Sequence, residues 1–195
     1  LEKHLIGLHI QTASPATTLL SANLDEDGNI NVSVGERSDL ARTATDRKNR
    51  GYWEYSIGID ETENLNFPPS LLLKPRTSEE IAEILKIANE HKIPVTAIGG
   101  QTGLSGGALC VRQGIGLSME RFNQIIEIDQ NNLQVTVEPG VITQVLRDAV
   151  AQVGLFYPPD PSSQGSCFIG GNIAENAGGA RALKYGVTRD YVLNL

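Results

Sequence analysis

Residues 98–107 of this 195-residue chain read IGGQTGLSGG, and five of these ten residues are glycine. Glycine loses more conformational entropy on folding than other residues, so a loop rich in it indicates that the backbone must approach something closely. Successive N–H groups of such a loop can point into one concavity that binds an anion. Gly99, Gly100 and Gly103 can take backbone angles that are closed to other residues. A tight loop that binds nothing is the alternative from this stretch alone.

The loop differs from two common phosphate-binding loops. No lysine follows its last glycines, so the GK[ST] end of the nucleotide-triphosphate loop is missing. Its glycines at 100, 103 and 106 have a three-residue step where the dinucleotide GxGxxG pattern needs two. Thr102 and Ser105 add hydroxyl donors to the backbone N–H groups.

A second glycine-rich stretch, residues 157–179, reads YPPDPSSQGSCFIGGNIAENAGG. Its prolines stiffen an extended segment, and its serines supply hydroxyl groups. Gly170 and Gly171 would let the backbone approach a flat or charged ligand. Asn172 and Asn176 suit either a hydrogen bond to the edge of a heterocycle or the cap of a turn. Together the two stretches favour one long ligand that needs two backbone cradles, and a dinucleotide fits.

The elements around the first loop place it where ligands of α/β sheets collect. Residues 70–75 predict a short buried strand stopped by proline, and residues 93–98 predict the next strand. Between them, Thr77 and Glu80 have the spacing of a capping box at the start of a helix. The apolar face of that helix comprises Ile81, Ile84, Leu85 and Ala88. Two strands joined by a helix predict a parallel crossover, with the glycine loop at the carboxyl end of a parallel strand.

Further elements follow the loop. Residues 114–119, 125–128 and 133–137 predict strands, and the last alternates cleanly between apolar and polar residues. A second amphipathic helix is predicted to end at Gly154. Its apolar face comprises Val141, Val145, Leu146, Ala149, Val150 and Val153. We expect residues 191–195 to lie in a strand.

The first third of the chain is less informative. Residues 25–29, DEDGN, predict a turn, and the alternation of Ile30, Val32 and Val34 predicts a strand. Residues 51–55, GYWEY, predict an aromatic patch that packs over the edge of a core.

Composition and charge argue against several functions. The formal net charge of −7 and the aromatic content of 5% provide no basic stripe for nucleic acid. Cys110 and Cys167 form neither a disulfide framework nor a metal-binding spacing, which favours a reducing, cytoplasmic setting. No signal peptide is visible, and no apolar run reaches the length of a membrane span.

Four motifs resemble the FAD-binding domain, of the PCMH type, of the vanillyl-alcohol oxidase/p-cresol methylhydroxylase superfamily. The chain is most similar to the branch that contains D-lactate dehydrogenase, the glycolate oxidase flavoprotein subunit and D-2-hydroxyglutarate dehydrogenase. The motifs are GGQTGLSGG at 99–107, PPDPSS at 158–163, GSCFIGGNIAENAGG at 165–179 and KYG at 184–186. Their order makes the resemblance specific, and it extends from about residue 70 to the last residue.

The resemblance implies an α+β fold of the PCMH type, with short parallel strands, flanking helices and a strand-rich second part, truncated in this chain. It implies an N-terminal segment of uncertain structure, residues 1–66, and the N-terminal part of an FAD-binding domain, residues 67–195. In that family the first loop wraps the FAD pyrophosphate with backbone N–H groups, and the second stretch lies along the isoalloxazine and ribityl chain. The matching positions are Gly99, Gly100, Gln101, Thr102, Gly103 and Ser105, then Pro158, Ser162, Gly165, Ser166, Gly170, Gly171, Asn176 and Gly178.

The chain departs from the family's pattern in ways that leave the backbone cradle intact. The family usually has arginine where Ile98 stands and glycine or asparagine where Gln101 stands. Some members attach flavin through a histidine of the first loop, which this loop lacks. Others use a cysteine of the second stretch, but Cys167 lies one position off, with Ser166 in the matching place. We therefore expect non-covalent FAD, a buried and inert thiol at Cys167, and no metal.

The implied function is an FAD-dependent oxidoreductase that oxidises a D-2-hydroxy acid such as D-lactate or glycolate. The sequence identifies neither the catalytic base nor the electron acceptor. Asp160 suits a turn or an acid–base role, and the basic residues Arg181, Lys184 and Arg189 suit the solvent or the pyrophosphate.

Two other readings stay open. One is a non-catalytic or truncated flavin-binding module. The other is an enzyme like UDP-N-acetylmuramate reductase, whose loop is usually of a glycine-serine-asparagine type. The sequence also leaves open a homo-oligomer and a peripheral association with the membrane.

Overall fold

The computed structural model describes residues 65–195 in full and the backbone of five strands before them. These strands are β1 (Ile6–Ile10), β2 (Thr18–Leu24), β3 (Ile30–Val34), β4 (Ala41–Thr43) and β5 (Ile59–Asp60). Strands β1, β2 and β3 form an antiparallel sheet, which confirms the strand predicted at residues 30–34. The turn predicted at 25–29 and the aromatic patch predicted at 51–55 lie outside the described residues.

The chain forms two compact units. The first comprises Leu1–Ile98 and Ser105–Ser118, and the second comprises Gly99–Leu104 and Met119–Leu195. The two-residue strand β6 (Leu65–Asn66) pairs with β5 in the first unit. Helices and strands are mixed, as the predicted α+β class requires.

A four-stranded sheet, in the order β4-β7-β9-β8, organises the first unit. It adds strands β7 (Leu71–Leu73), β8 (Val95–Ile98) and β9 (Ile115–Ser118). Both β7 and β8 run parallel to β9, which lies between them, so the predicted crossover is parallel but does not join neighbouring strands. All residues of β7 and β9 are buried. The glycine loop follows β8 directly, at the carboxyl end of a parallel strand.

Helix α1 (Ser78–Glu90) connects β7 to β8 and begins as the sequence predicts, with one difference. The Thr77 hydroxyl oxygen accepts a hydrogen bond from the Glu80 N–H at 3.2 Å. The Glu80 carboxylate, however, accepts from the Arg76 N–H at 2.7 Å, so the second half of the capping box involves the preceding residue. The predicted apolar face is wrong at Leu85, which is 45% exposed.

The second unit has a core between a hairpin and a helix. The hairpin consists of β10 (Ile125–Asp129) and β11 (Gln134–Val137), and the helix is α2 (Thr143–Gln152). The core residues are Val141, Leu146, Val150 and Ile169, with partly buried side chains of the hairpin against them. Val145, predicted on the apolar face, is 51% exposed. Gly154, at φ +79°, ends the helix as predicted.

Short elements complete the second unit: helices α3 (Ile169–Ala174) and α4 (Ala182–Tyr185), then a 3₁₀ helix (Thr188–Tyr191). The strand predicted at residues 191–195 is wrong, because the 3₁₀ helix includes residue 191 and residues 192–195 have no regular structure. The Asp190 carboxylate accepts a hydrogen bond from the Val187 N–H at 2.8 Å, which favours this turn. Within the described residues, no helix is both long enough and apolar enough to cross a membrane.

Adjacent residues of α2 provide a test of how this helix packs. Leu146→Ala is expected to lower the free energy of unfolding by about 2–5 kcal/mol, because Leu146 is 2% exposed and its loss leaves a cavity. Val145→Ala removes an exposed side chain, and we expect a change below about 0.5 kcal/mol. Urea unfolding followed by circular dichroism measures both. Similar losses for the two variants would show that α2 packs through a different face.

Candidate functional site

The two glycine-rich stretches touch each other within the second unit. A Cβ placed on Gly100 would lie 2.5 Å from the carbonyl oxygen of Ser166 and 3.2 Å from Cα of Cys167. A Cβ on Gly99 would lie 3.9 Å from the side chain of Phe168. The first stretch therefore reaches the second through bare backbone, and the two form one candidate site.

Backbone hydrogen bonds hold the second stretch in place. The carbonyl oxygen of Ser163 accepts from the N–H groups of Ser166 and Cys167, both at 2.8 Å. The carbonyl oxygen of Cys167 accepts from the N–H of Thr143, at 3.1 Å. Phe168 forms an isolated bridge with Ile142, at the start of α2. The wall that faces Gly100 is thus anchored to the core of the second unit.

A buried polar cluster lies directly behind that wall. Thr143, Cys167 and Asn172 are all at least 96% buried. The Asn172 side-chain amide donates to the Thr143 hydroxyl oxygen at 2.5 Å, and that oxygen lies 3.2 Å from the Cys167 sulfur. Asn172 is therefore a core residue and does not read a ligand. The buried thiol predicted at Cys167 is confirmed, and both cysteines are free.

At some positions of the site, contacts within the protein explain why the residue is glycine. A Cβ on Gly170 would lie 2.8 Å from Cβ of Pro139, and a Cβ on Gly179 would overlap the Asp160 carbonyl group. Gly179 also has φ +143°, a conformation that side chains disfavour. Packing alone explains why these two positions carry no side chain.

At three other positions, no contact within the protein requires glycine. A Cβ on Gly103, Gly165 or Gly171 would meet no atom within 4 Å, and none of the three lies in the left-handed region. Gly178 is intermediate, since its Cβ would make ordinary contacts with the protein. The three open glycines keep backbone accessible at both stretches, as a ligand that lies against the backbone requires.

Within residues 99–103, the left-handed conformation does not occur at a glycine. Gly99, Gly100 and Gly103 all lie outside that region, so none of them uses the positive φ that glycine permits. Gln101 instead has φ +54°. Its side-chain nitrogen Nε2 is buried and has no hydrogen-bond partner in the protein. The sequence analysis assigned Gln101 a role only through its backbone N–H. A glutamine within a run of glycines is itself a signal that the side chain could have a role.

The predicted hydroxyl residues differ in exposure, and one of them belongs to the first unit. Ser162 and Ser166 are exposed, and Thr102 is half-buried. Ser105 is an exposed residue of the first unit, whereas the other predicted positions belong to the second. Pro158 is buried.

The polar residues near the proline segment are engaged by the protein. The Asp160 carboxylate accepts from the Arg181 N–H at 3.0 Å and forms an ion pair with the Arg181 Nε at 3.3 Å. The Arg181 guanidinium also lies over the Phe156 ring, 5.3 Å from its centroid. Asn176, at φ +51°, accepts a hydrogen bond from the Arg189 N–H at 3.0 Å. Of the two roles weighed for Asp160, these contacts favour the turn.

Tyr157 begins the second stretch and is mostly buried. Burial raises the pKa of its phenol above the usual value, and a hydrogen bond with the Thr188 hydroxyl opposes that rise. Its ring packs edge to face with Tyr191, with centroids 6.0 Å apart. At neutral pH the phenol is therefore uncharged and acts as a structural side chain.

Comparison with known proteins identifies the family. A profile described as FAD binding domain matches residues 69–195. The chain is 49% identical over 150 residues to glycolate oxidase subunit GlcD of Bacillus subtilis, covering 77% of this chain and 32% of that protein. It is 44% identical over 124 residues to D-lactate dehydrogenase of Anaerostipes hadrus, covering 64% and 26%. The chain thus spans about a third or less of these curated relatives.

Solved structures support the fold. Alkyldihydroxyacetonephosphate synthase matches with a TM-score of 0.68 at 18% identity, over 80% of this chain and 30% of that one. p-Cresol methylhydroxylase matches with a TM-score of 0.59 at 25% identity, over 71% and 27%. The predicted PCMH-type fold is confirmed.

Alanine substitutions at two glycines of the first loop test the contact between the stretches. Gly100→Ala places a methyl group against the Ser166 carbonyl, so we expect a clear drop in the apo unfolding temperature. Gly103→Ala meets nothing within 4 Å, and its unfolding temperature should stay close to wild type. Differential scanning calorimetry of both variants without ligand measures the contrast. Equal temperatures for wild type and Gly100→Ala would mean that the stretches do not touch.

Proposed function

This chain belongs to the FAD binding domain family, and from that membership we propose that it is part of an oxidoreductase that oxidises a D-2-hydroxy acid such as D-lactate or glycolate. We propose residues 67–195 as the first part of the FAD-binding domain and residues 1–66 as a separate N-terminal segment. The observation that carries the proposal is the contact of Gly100 with Ser166, which joins the two glycine-rich stretches into one site. The names of relatives that are 44–49% identical supply the substrate class.

The residues at the site fit FAD. Backbone N–H groups of the loop 99–103, with the Thr102 hydroxyl, would bind the pyrophosphate, because such nests favour anions. The open glycines at 165 and 171 would leave room for the flavin along the second stretch. The proposed contact residues are Gly99, Gly100, Gln101, Thr102, Gly103, Pro158, Ser162, Gly165, Ser166, Gly171 and Gly178, all in the second unit. Gly170 and Asn176 would act by shaping the backbone.

FAD, when bound, supplies a two-electron acceptor for the α-carbon hydride of the substrate. The chain's own contribution would be to bind and orient this cofactor, largely on backbone that the contact between the two stretches holds in place. A general base for the substrate hydroxyl is not assigned to any residue of this chain. We propose a cytoplasmic protein on the composition alone.

The cofactor is proposed to be non-covalent. The first loop, residues 99–107, contains no histidine. The Cys167 thiol is buried behind the wall of the site, against Thr143, and does not face open space. Neither of the two attachment routes considered for the family is therefore available at these positions.

Acid precipitation tests the mode of attachment. The protein expressed from the complete reading frame that encodes this chain should purify yellow. Trichloroacetic acid should then release the flavin as FAD into the supernatant, identified by chromatography and mass. Flavin that stays in the washed pellet would contradict non-covalent binding, and Cys167→Ser would then show whether this thiol is the attachment point.

Turnover tests the substrate class. The same protein is incubated with D-lactate, L-lactate, glycolate and D-2-hydroxyglutarate, with an artificial electron acceptor whose colour follows reduction. We expect reduction with at least one of glycolate and the D-acids, and little with L-lactate. Bound FAD without reduction by any acid would indicate a non-catalytic flavin-binding module, and reduction by L-lactate alone would contradict the proposed stereochemistry.

A further inference from the structure

Gln101 holds a backbone conformation that favours glycine. Its φ of +54° lies in the left-handed region, which costs free energy for a residue with a side chain. The neighbouring Gly100 and Gly103 lie outside that region. Gln101 is thus a residue with a side chain at a φ that favours glycine, between two glycines whose φ does not require glycine.

The side chain of Gln101 carries a second cost. Its nitrogen Nε2 is buried and makes no hydrogen bond in the protein. A carboxamide nitrogen has two N–H donors, and burying donors without acceptors is unfavourable. Such groups are rare in native proteins, so each one calls for an explanation, such as a bound water, an ion or a ligand.

The surroundings prevent the loop from relieving these costs. On one side, the Gly100 backbone packs against the Ser166 carbonyl and Cys167. These two residues donate hydrogen bonds to the Ser163 carbonyl oxygen, and the Cys167 carbonyl oxygen accepts one from the Thr143 N–H. On the other side, the space next to Gly103 is open. Gln101 thus follows a residue packed against this wall and precedes, by two positions, one that borders open space, and strained residues of this kind cluster at ligand-binding sites.

The charge of the loop indicates which ligand group this donor suits. Residues 99–107 contain no lysine or arginine, so the loop itself offers an anion only neutral N–H and O–H donors. A further N–H donor with two hydrogens would add a charge-assisted hydrogen bond, which is stronger than a neutral one.

We propose that the Gln101 side-chain amide donates a hydrogen bond to the diphosphate group of FAD, and that Gln101 is a positioning residue for the cofactor. This inference rests on the proposed binding of FAD. It goes beyond that proposal because it assigns part of the affinity for FAD to a side chain, in addition to the backbone N–H groups of the loop.

Three variants separate a ligand role from a structural one. Gln101→Met keeps the length of the side chain and removes the donors. Gln101→Gly also removes the backbone strain. Gly154→Ala is the matched control, because it adds left-handed strain at φ +79°, in open space at the end of α2, without changing the loop. Each apo protein, prepared by removal of flavin, is titrated with FAD and with ADP, which carries the diphosphate without the flavin.

We expect the dissociation constants of Gln101→Met and Gln101→Gly for both FAD and ADP to rise about tenfold or more. This is the effect of losing one charge-assisted hydrogen bond. Their apo unfolding temperatures should equal or exceed that of wild type, because the unsatisfied donor is gone. Gly154→Ala should show the reverse, a lower unfolding temperature with unchanged affinities.

Unchanged FAD affinity in Gln101→Met would overturn the inference and leave the FAD proposal intact. A loss for FAD without a loss for ADP would overturn the assignment to the diphosphate. A drop in the apo unfolding temperature of Gln101→Met would assign Gln101 a structural role instead. Wild-type protein that does not bind FAD would overturn the proposed function and the inference with it.

Discussion

The close approach of Gly100 to the Ser166 carbonyl is the contact on which the candidate site depends. Only glycine allows it, because any Cβ at this position would overlap the carbonyl oxygen. The contact brings two stretches together that are more than sixty residues apart in sequence. Each stretch supplies exposed backbone but few free polar side chains. Backbone N–H groups bind an anion well only when they are fixed in direction, and a rigid wall at Ser166 supplies that fixation to the loop.

The glycines of the site form two groups that differ in the physical reason for the absence of a side chain. The sequence does not distinguish the two groups. Gly100, Gly170 and Gly179 are glycine because other protein atoms occupy the place of a side chain. Gly103, Gly165 and Gly171 border open space, so a ligand is the better explanation for them. All six read alike in the sequence, because the difference depends on neighbours that are distant along the chain. The four motifs therefore could not separate the glycines that packing requires from those that border open space.

Local signals predicted strands β7 to β11 and helices α1 and α2. Proline after β7, the N-cap Thr77 and the terminal Gly154 act within a few residues, so their effects could be read from the sequence. The errors arose where packing decides. Leu85 and Val145 fit the apolar periodicity of their helices but are exposed. The face of each helix that packs is therefore narrower than the apolar face predicted from the sequence. The end of the chain reads as apolar, but the Asp190 carboxylate favours a 3₁₀ turn there, a contact that hydrophobic periodicity does not detect.

The polar cluster behind the site connects core packing to binding. Thr143 is completely buried, and through its hydroxyl and its N–H it contacts Cys167 and Asn172. Satisfied buried networks of this kind make a core rigid and specify one arrangement of it. Because Cys167 adjoins Ser166, the rigidity passes directly to the carbonyl that Gly100 touches. The strain at Gln101 can then persist in the folded chain, since the backbone beside it has no room to relax. The stability of the core thus permits an unfavourable conformation at Gln101, the residue that we propose to hold the diphosphate of the cofactor.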